Sequence, residues 1–386
     1  MATNRSLAIA QRSLGDPAIS YPLWPPLTSG CPRTSTEDVS YPVEVGYAYH
    51  QVPAELFSAG GKSGLDRWTP LLPPLTAPSL GEGGTPLVEL EPDLFVKDES
   101  RNPTWTHKDR LNRCTVSAAM TVGASGIVVA SSGNHAASAA AFAARAGLRC
   151  VVLTGTDLPA TVNASLNAYD AVVLPVPKQA RWPLMRQIVE HTDLHPVSNL
   201  TPTHTGHPFG PEGYKTIAYE IYGEIGVPSA VFVPTGYGEL LFGVWKGFSE
   251  LRRLGLTDRT PRMYACESAG GAPLAVAMSR NLPAVRVETE PTDAYSIACA
   301  VNSYRGVVAV RDSGGRALVL SDEQLRAAAR ELARGGLWVE LSAAIGLAGL
   351  RSVADEEITG PTVCISTSGG FKDPTAKSSV AEPVAR

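Results

Sequence analysis

The stretch Ile127–Gly155, "IVVASSGNHAASAAAFAARAGLRCVVLTG", decides the fold class. "IVVASSG" is a short apolar run of strand length, too short for a buried helix and closed by Ser and Gly. "NHAASAAAFAARAGL" is rich in Ala, the best helix former, and Gly147 stops it. "RCVVLTG" is a second strand. Strand, helix and strand within thirty residues form a βαβ unit, whose two strands lie parallel with the helix on one face.

The pattern continues on both sides. "LFVKDES" (94–100) reads as a strand and the segment from Leu111 as a helix; "TVNASLNAYDA" (161–171) is a helix before the strand "VVLPVP". Further on come the helix "GYKTIAYEIYGEIG", the strand "AVFVPTG", the helix "LLFGVWKGFSELRRLG" and the strand "RMYACES". "SDEQLRAAARELARGG" opens with a capping box, Ser321 to Gln324, and "TVCISTSGG" is a last strand. Alternation of this kind predicts α/β architecture: two three-layer αβα domains with mainly parallel sheets. Residues 1–109 read as an N-terminal arm with part of a large domain, 110–200 as a small α/β domain, and 201–386 as the remainder of the large one. The first ninety residues are rich in Pro, Gly and Ser, the composition of an irregular arm wrapped on a domain.

Bulk properties narrow the function. The chain has 386 residues, 44% apolar and 18% charged, as an ordinary globular protein has. A net charge of −4 argues against nucleic-acid or anionic-membrane binding. No apolar run reaches membrane length, and the first residues carry no signal-peptide core, so the expected location is cytoplasmic. Six scattered cysteines with no C-x-x-C pair make neither a disulfide framework nor a zinc set. His191/His195 and His204/His207 have metal-compatible spacings, but both pairs sit in Pro- and Gly-broken sequence, and no metal is expected.

Ligands of open α/β sheets bind beyond the carboxyl ends of strands, and three such ends carry unusual loops. "ASSGNHAAS" (130–138) offers backbone N–H groups at a helix start to a carboxylate. "PTGYGELLFG" (234–243) has a G-x-G that lets backbone approach a phosphate. Its third glycine, Gly243, is too late for a dinucleotide fingerprint, and no G-K-[ST] follows, which disfavours a nicotinamide-dependent reductase. "STSGGFKDP" (366–374) is rich in hydroxyls and Gly. Lys108, in "NPTWTHKDR" (102–110), stands at a helix start where the dipole favours acids. A lysine, a carboxylate loop, a phosphate loop and a hydroxyl at a late strand end together suit pyridoxal 5′-phosphate.

Seven segments in order carry a resemblance: "SLGEGGTPL" (79–87), "VKDESRNPTWTHKDR" (96–110), "SSGNHAASAAAFAARAG" (131–147), "EGYKTIAYEI" (212–221), "GYGELLFGVWKGF" (236–248), "GLWVELSAAIGLAGL" (336–350) and "TSGGFKDP" (367–374). They resemble the threonine synthase branch of the fold-type-II, tryptophan synthase β-like, pyridoxal-phosphate family, from about residue 20 to 375. The resemblance implies that Lys108 is the Schiff-base lysine and proton shuttle, and that Asn134 binds the cofactor's 3′-oxygen. It implies that Gly236, Tyr237, Gly238, Glu239 and Leu240 surround the phosphate and that Thr367 faces the pyridine nitrogen. Ser132, Gly133, Asn134 and His135 would hold the substrate carboxylate, while Asp109 and Arg110 fix the helix start. A small amino-acid substrate and a homodimer are further implications.

Three departures bear on the substrate. Threonine synthases carry an arginine for the substrate phosphate where this chain has Gly210, in "HPFGPEG" (207–213). The lost charge would have to come from His204, His207 or Arg113. The loop "SSGNH" is that of serine/threonine dehydratases, and Tyr237 and Glu239 replace small residues or Asn in the phosphate cup. Glu239 must turn away from a phosphate or meet a substrate cation, and bulky Trp105 would narrow the site. The expected enzyme is a lyase or synthase performing β- or γ-elimination or replacement, threonine synthase-like with an altered substrate. A serine/threonine dehydratase, a diaminopropionate ammonia-lyase-like or cysteate-synthase-like enzyme, and threonine synthase itself are the alternatives. A catalytically silent binding paralogue is the alternative from another class, and intact Lys108, Asn134 and Thr367 argue against it.

Overall fold

The computed structural model describes residues 5–58, 64–156, 158–354 and 358–372. Asp373 and Pro374 of the last motif lie outside the described residues. Along the chain run β1 (Ala8–Ser13), β2 (Ser20–Pro22), β3 (Val43–Tyr47), β4 (Leu87–Glu91), β5 (Leu94–Asp98), α1 (Lys108–Thr121), β6 (Gly126–Ala130) and α2 (Asn134–Ala146). Then follow β7 (Arg149–Thr154), α3 (Ala160–Ala168), β8 (Val172–Pro175), α4 (Arg181–His191) and β9 (Leu194–Pro196). The remainder holds α5 (Gly210–Tyr214), α6 (Thr216–Ile225), β10 (Ala230–Pro234), α7 (Glu239–Arg253), β11 (Arg262–Ser268) and α8 (Pro273–Ser279). It closes with α9 (Tyr304–Ser313), β12 (Arg316–Leu320), α10 (Asp322–Arg334), α11 (Ile345–Arg351) and β13 (Thr362–Ser366).

The opening stretch folds as read. β6 and β7 pair in parallel, and α2 ends at Gly147 in the left-handed region, φ 70°, where Gly is least strained. β8, β7, β6 and β9 make a four-stranded parallel sheet. A six-stranded sheet has the order β12-β11-β10-β13-β5-β4, parallel throughout except for β4 on its edge.

Both sheets are covered on both faces, and the period of two along each strand shows it. In the larger sheet Val231, Val233, Met263, Ala265, Val363 and Ile365 pack with α5, α6, α7 and α9. Their alternates Ala230, Phe232, Tyr264, Cys266 and Cys364 pack with α10 and α11. In the smaller sheet Ile127, Val129, Cys150 and Val152 face α2 and α3, while Val128 and Leu153 face Met185 of α4. Strands buried on both sides need uninterrupted apolar runs, which is why "IVVA" and "AVFV" read as they do.

The arm departs from the expectation of irregular chain. β2-β1-β3 form a small antiparallel sheet, and Val45 and Tyr47 join the same core as α5–α7. Proline-rich loops around it mask a short strand, and antiparallel partners far apart in sequence leave no local signal. α1 starts at Lys108, the helix start expected there, with Leu111 inside its first turn. The Asp109 carboxylate accepts the Thr104 backbone N–H at 2.7 Å and its hydroxyl at 2.5 Å, closing the preceding turn against the helix start.

Candidate active site

Lys108 and Thr367 are brought together by sheet order, and Asn134 is linked to the same region through Glu340. β5 and β13 are neighbours, in register at Asp98 and Ser366, so the segments leaving both strands run side by side. The His107 N–H donates to the Thr367 carbonyl at 3.0 Å, and Thr106 bridges to Ser368. Lys108 is half-buried, with Nζ 5.5 Å from the centre of the Tyr214 ring. Burial pushes its pKa below the usual lysine value, against the opposing fields of Glu239 and Cys299. A lowered pKa favours the neutral amine, which is the nucleophilic form of a lysine.

The residues beside Lys108 are structural. Asp109 also accepts the Ser138 hydroxyl at 2.6 Å, tying α1 to α2. Arg110, fully buried, donates to Glu99 (2.7 and 2.8 Å), Glu220 (2.6 and 2.8 Å), Thr216 (2.8 Å) and Thr85 (3.0 Å). Lys97 joins the same network through Glu220 at 2.8 Å. Three of the sequence segments, 79–87, 96–110 and 212–221, therefore meet at one guanidinium.

At the start of α2 the loop side chains largely bond within the protein. The Ser132 hydroxyl meets Thr154 at 3.0 Å, the Gly155 N–H at 2.8 Å and Arg181 Nη1 at 3.2 Å. The Gly133 N–H is donated to Ser131 Oγ at 3.3 Å within the loop. His135 is held neutral, its pKa pushed down to about 3 by burial and by Lys108. The Asn134 amide donates to Glu340 Oε2 at 2.8 Å, and Ser368 donates its hydroxyl to the same oxygen. Glu340 lies in "GLWVELSAAIGLAGL" (336–350), where a lone acid in an apolar segment carries no periodic signal.

The Gly236–Leu240 turn is a cup only glycine can line. A Cβ on Gly236 would lie 2.9 Å from Cys299 Sγ, and one on Gly238, at φ +96°, 2.9 Å from Gly306 Cα. Gly238 caps the fifteen-residue α7, whose first N–H groups and dipole favour an anion. Leu240 belongs to the core. Tyr237 stacks on His204 with ring centres 4.0 Å apart. Glu239 turns away: its Oε1 occupies the space a Cβ on Gly206 would fill, and it lies 3.9 Å from Arg305 Nη1 and 3.9 Å from His204 Nε2. Burial raises its pKa, which limits repulsion of a neighbouring phosphate.

None of the three proposed substitutes for the arginine at 210 supplies a free charge. Arg113 is engaged by Glu82 at 2.5 Å and Asp66 at 3.0 Å. Burial holds His204 and His207 well below the usual histidine pKa. The Phe209 N–H donates to His207 Nδ1 at 3.0 Å, so the His207 proton sits on Nε2 and is given to His195 Nε2 at 2.9 Å. Gly210 is closely packed as well: a Cβ there would stand 3.0 Å from Leu111 Cδ1, which would have to shift, as α5 packs on α1. Trp105 is 60% exposed and does not fill the cleft.

A glycine-lined phosphate cup, a lysine of lowered pKa, and orphaned buried polar atoms at Glu340 Oε1, Ser342 and Ser366 fit pyridoxal phosphate. The pyridoxal-phosphate-dependent enzyme family model matches residues 78–369. The chain belongs to this family. It is 31% identical to threonine synthase of Methanosarcina acetivorans, covering 82% of each chain. With threonine synthase of Halalkalibacterium halodurans it shares 35% identity, covering 81% of this chain and 88% of the relative. Among solved structures, an L-serine ammonia-lyase from Rhizomucor miehei superposes with a TM-score of 0.63 at 20% identity, over 74% of this chain and 93% of that one. Maize serine racemase gives 0.61 at 22%, over 74% and 88%. These likenesses show the fold-type-II architecture of the family.

Proposed function

We propose that this threonine synthase-like enzyme is a pyridoxal-phosphate-dependent lyase or synthase acting on a small amino acid with a β- or γ-leaving group, and that the amino acid is not O-phosphohomoserine. The observation that carries the reading is the convergence of Lys108, Asn134 and Thr367 beside a glycine-lined helix start. In this reading Lys108 holds the cofactor covalently, Asn134 binds its 3′-oxygen, and the backbone from Gly236 to Leu240 binds its phosphate. Thr367 faces the ring nitrogen, and a hydroxyl there leaves that nitrogen largely unprotonated. Bound pyridoxal phosphate supplies the electron sink for charge developing at the substrate Cα. The α2 loop orients the substrate carboxylate, Lys108 Nζ moves the Cα proton, and the apolar wall around Tyr214 excludes water. The packed Gly210, the engaged Arg113 and the neutral His204 and His207 support a substrate other than a phosphorylated homoserine. The "SSGNH" loop favours a serine/threonine dehydratase as the second reading. The 110–200 unit around the smaller sheet, a homodimer and a cytoplasmic setting belong to the same proposal.

The deciding experiment is an absorbance titration of purified holoenzyme with O-phospho-L-homoserine, L-serine and L-threonine. The expected outcome is a resting cofactor band, missing in Lys108→Ala, that shifts with a hydroxy amino acid but not with the phosphorylated one. Efficient threonine formation from O-phosphohomoserine would sink the altered substrate, and no cofactor band would sink the assignment of Lys108.

A further inference from the structure

Glu340 precedes α11, and its side chain is only 3% exposed. Its carboxylate joins three segments distant in sequence. Oε2 accepts from Asn134 Nδ2 at 2.8 Å and from the Ser368 hydroxyl. The backbone is pinned as well, with the Glu340 N–H donating to the Ser368 carbonyl at 3.2 Å, Ala343 donating to the Glu340 carbonyl at 2.8 Å, and Val339 bridging to Gly369. Oε1 is buried and has no hydrogen-bond partner among the described residues. Burying a carboxylate with one oxygen unmatched is costly, and an apolar side chain would suit packing better. A role other than packing therefore keeps it there.

The chemistry of the contact indicates that role. An asparagine amide has a donor edge and an acceptor edge of nearly the same shape, and in a neutral site it can flip. An ionised carboxylate only accepts, so it bonds Nδ2 and rejects Oδ1. Flipping Asn134 would set Oδ1 against Oε2, acceptor on acceptor. We propose that Glu340 is a positioning residue that locks the Asn134 amide so that its second N–H is kept for the 3′-oxygen of pyridoxal phosphate. This rests on the reading that Asn134 contacts the cofactor. Ser368 shares the same oxygen and holds the carboxylate in place, so the lock is a relay from the end of β13 to the start of α2.

Glu340→Gln tests the lock, because glutamine has the same shape but can donate to Oδ1 and so allows the flip. Cofactor dissociation constants are measured by equilibrium dialysis for wild type, Glu340→Gln, Asn134→Ala and the double variant, with absorbance spectra of each loaded protein. The expected result is a loss of about three- to ten-fold in affinity for Glu340→Gln, the net scale of one ordinary hydrogen bond, with a displaced band. In the Asn134→Ala background the same change should add nothing, since the group it orients is gone. Should Glu340→Gln fail to fold, Ser368→Ala replaces it, with a smaller loss that also disappears beside Asn134→Ala. Losses that multiply in the double variant, or wild-type affinity and spectrum in Glu340→Gln, overturn the positioning role alone. An Asn134→Ala protein that binds cofactor as wild type does would overturn the Asn134 assignment and the lock with it.

Discussion

Gly238 shows how one residue carries both backbone and ligand constraints. Its φ of +96° is costly for any residue with a Cβ, and that Cβ would stand 2.9 Å from Gly306 Cα. Gly238→Ala should therefore push α7 away from α9 and open the cup. The expected loss is about 2 kcal/mol or more of stability, with cofactor affinity falling roughly ten-fold, read by thermal denaturation and by dialysis. Gly206 is the same argument in reverse, since its missing side chain makes room for Glu239. The carboxylate that looked misplaced beside a phosphate is accommodated by a glycine more than thirty residues earlier in the chain.

At the scale of elements, α1 is the hinge of the architecture. Every residue from Asp109 to Ala119 is buried, because the helix packs between α2 and α5. A helix buried all round cannot show an amphipathic stripe, so its start at Lys108 is read from flanking residues. Arg110 anchors it through two buried glutamates, Glu99 and Glu220. Arg110→Met would leave Glu99 without its cation and Glu220 with Lys97 alone. The expected cost is about 3–5 kcal/mol, seen as a lower denaturation midpoint in urea, with residual folded protein still binding cofactor. The seven segments are thus partly a stability device: Thr85, Lys97, Glu99, Arg110 and Glu220 lie in three of them and touch one another.

For the whole molecule, the buried histidines set an acid limit. His107, His135, His195, His204 and His207 all have pKa values depressed by burial, His195 to about 4. Unfolded, each returns to about 6.5. Between the folded and unfolded values the unfolded chain binds more protons, so stability is complete above about pH 6.5 and falls as pH drops towards 4. Each such group contributes at most about 1.4 kcal/mol per pH unit in that window. Denaturant melts between pH 7 and 4.5 should show a loss steeper than one proton explains, and His195→Asn should flatten it. A flat profile across this range would contradict neutral burial.

Sequence by itself determined the βαβ repeat, the helix stops and the capping box at Ser321, all of which depend on neighbours a few residues apart. It also located the loops that meet at the site, because strand ends and glycine spacings are local features. Tertiary structure alone decided what those loops do to one another. The order of β13 beside β5 sets Thr367 against His107, and the reach of Glu340 to Asn134 spans two sheets. The antiparallel arm sheet, the turning of Glu239 towards Gly206 and the locked His195–His207 pair are likewise contacts between distant segments. Such contacts leave no periodic trace, since a side chain's partner is chosen by packing in space and not by spacing along the chain.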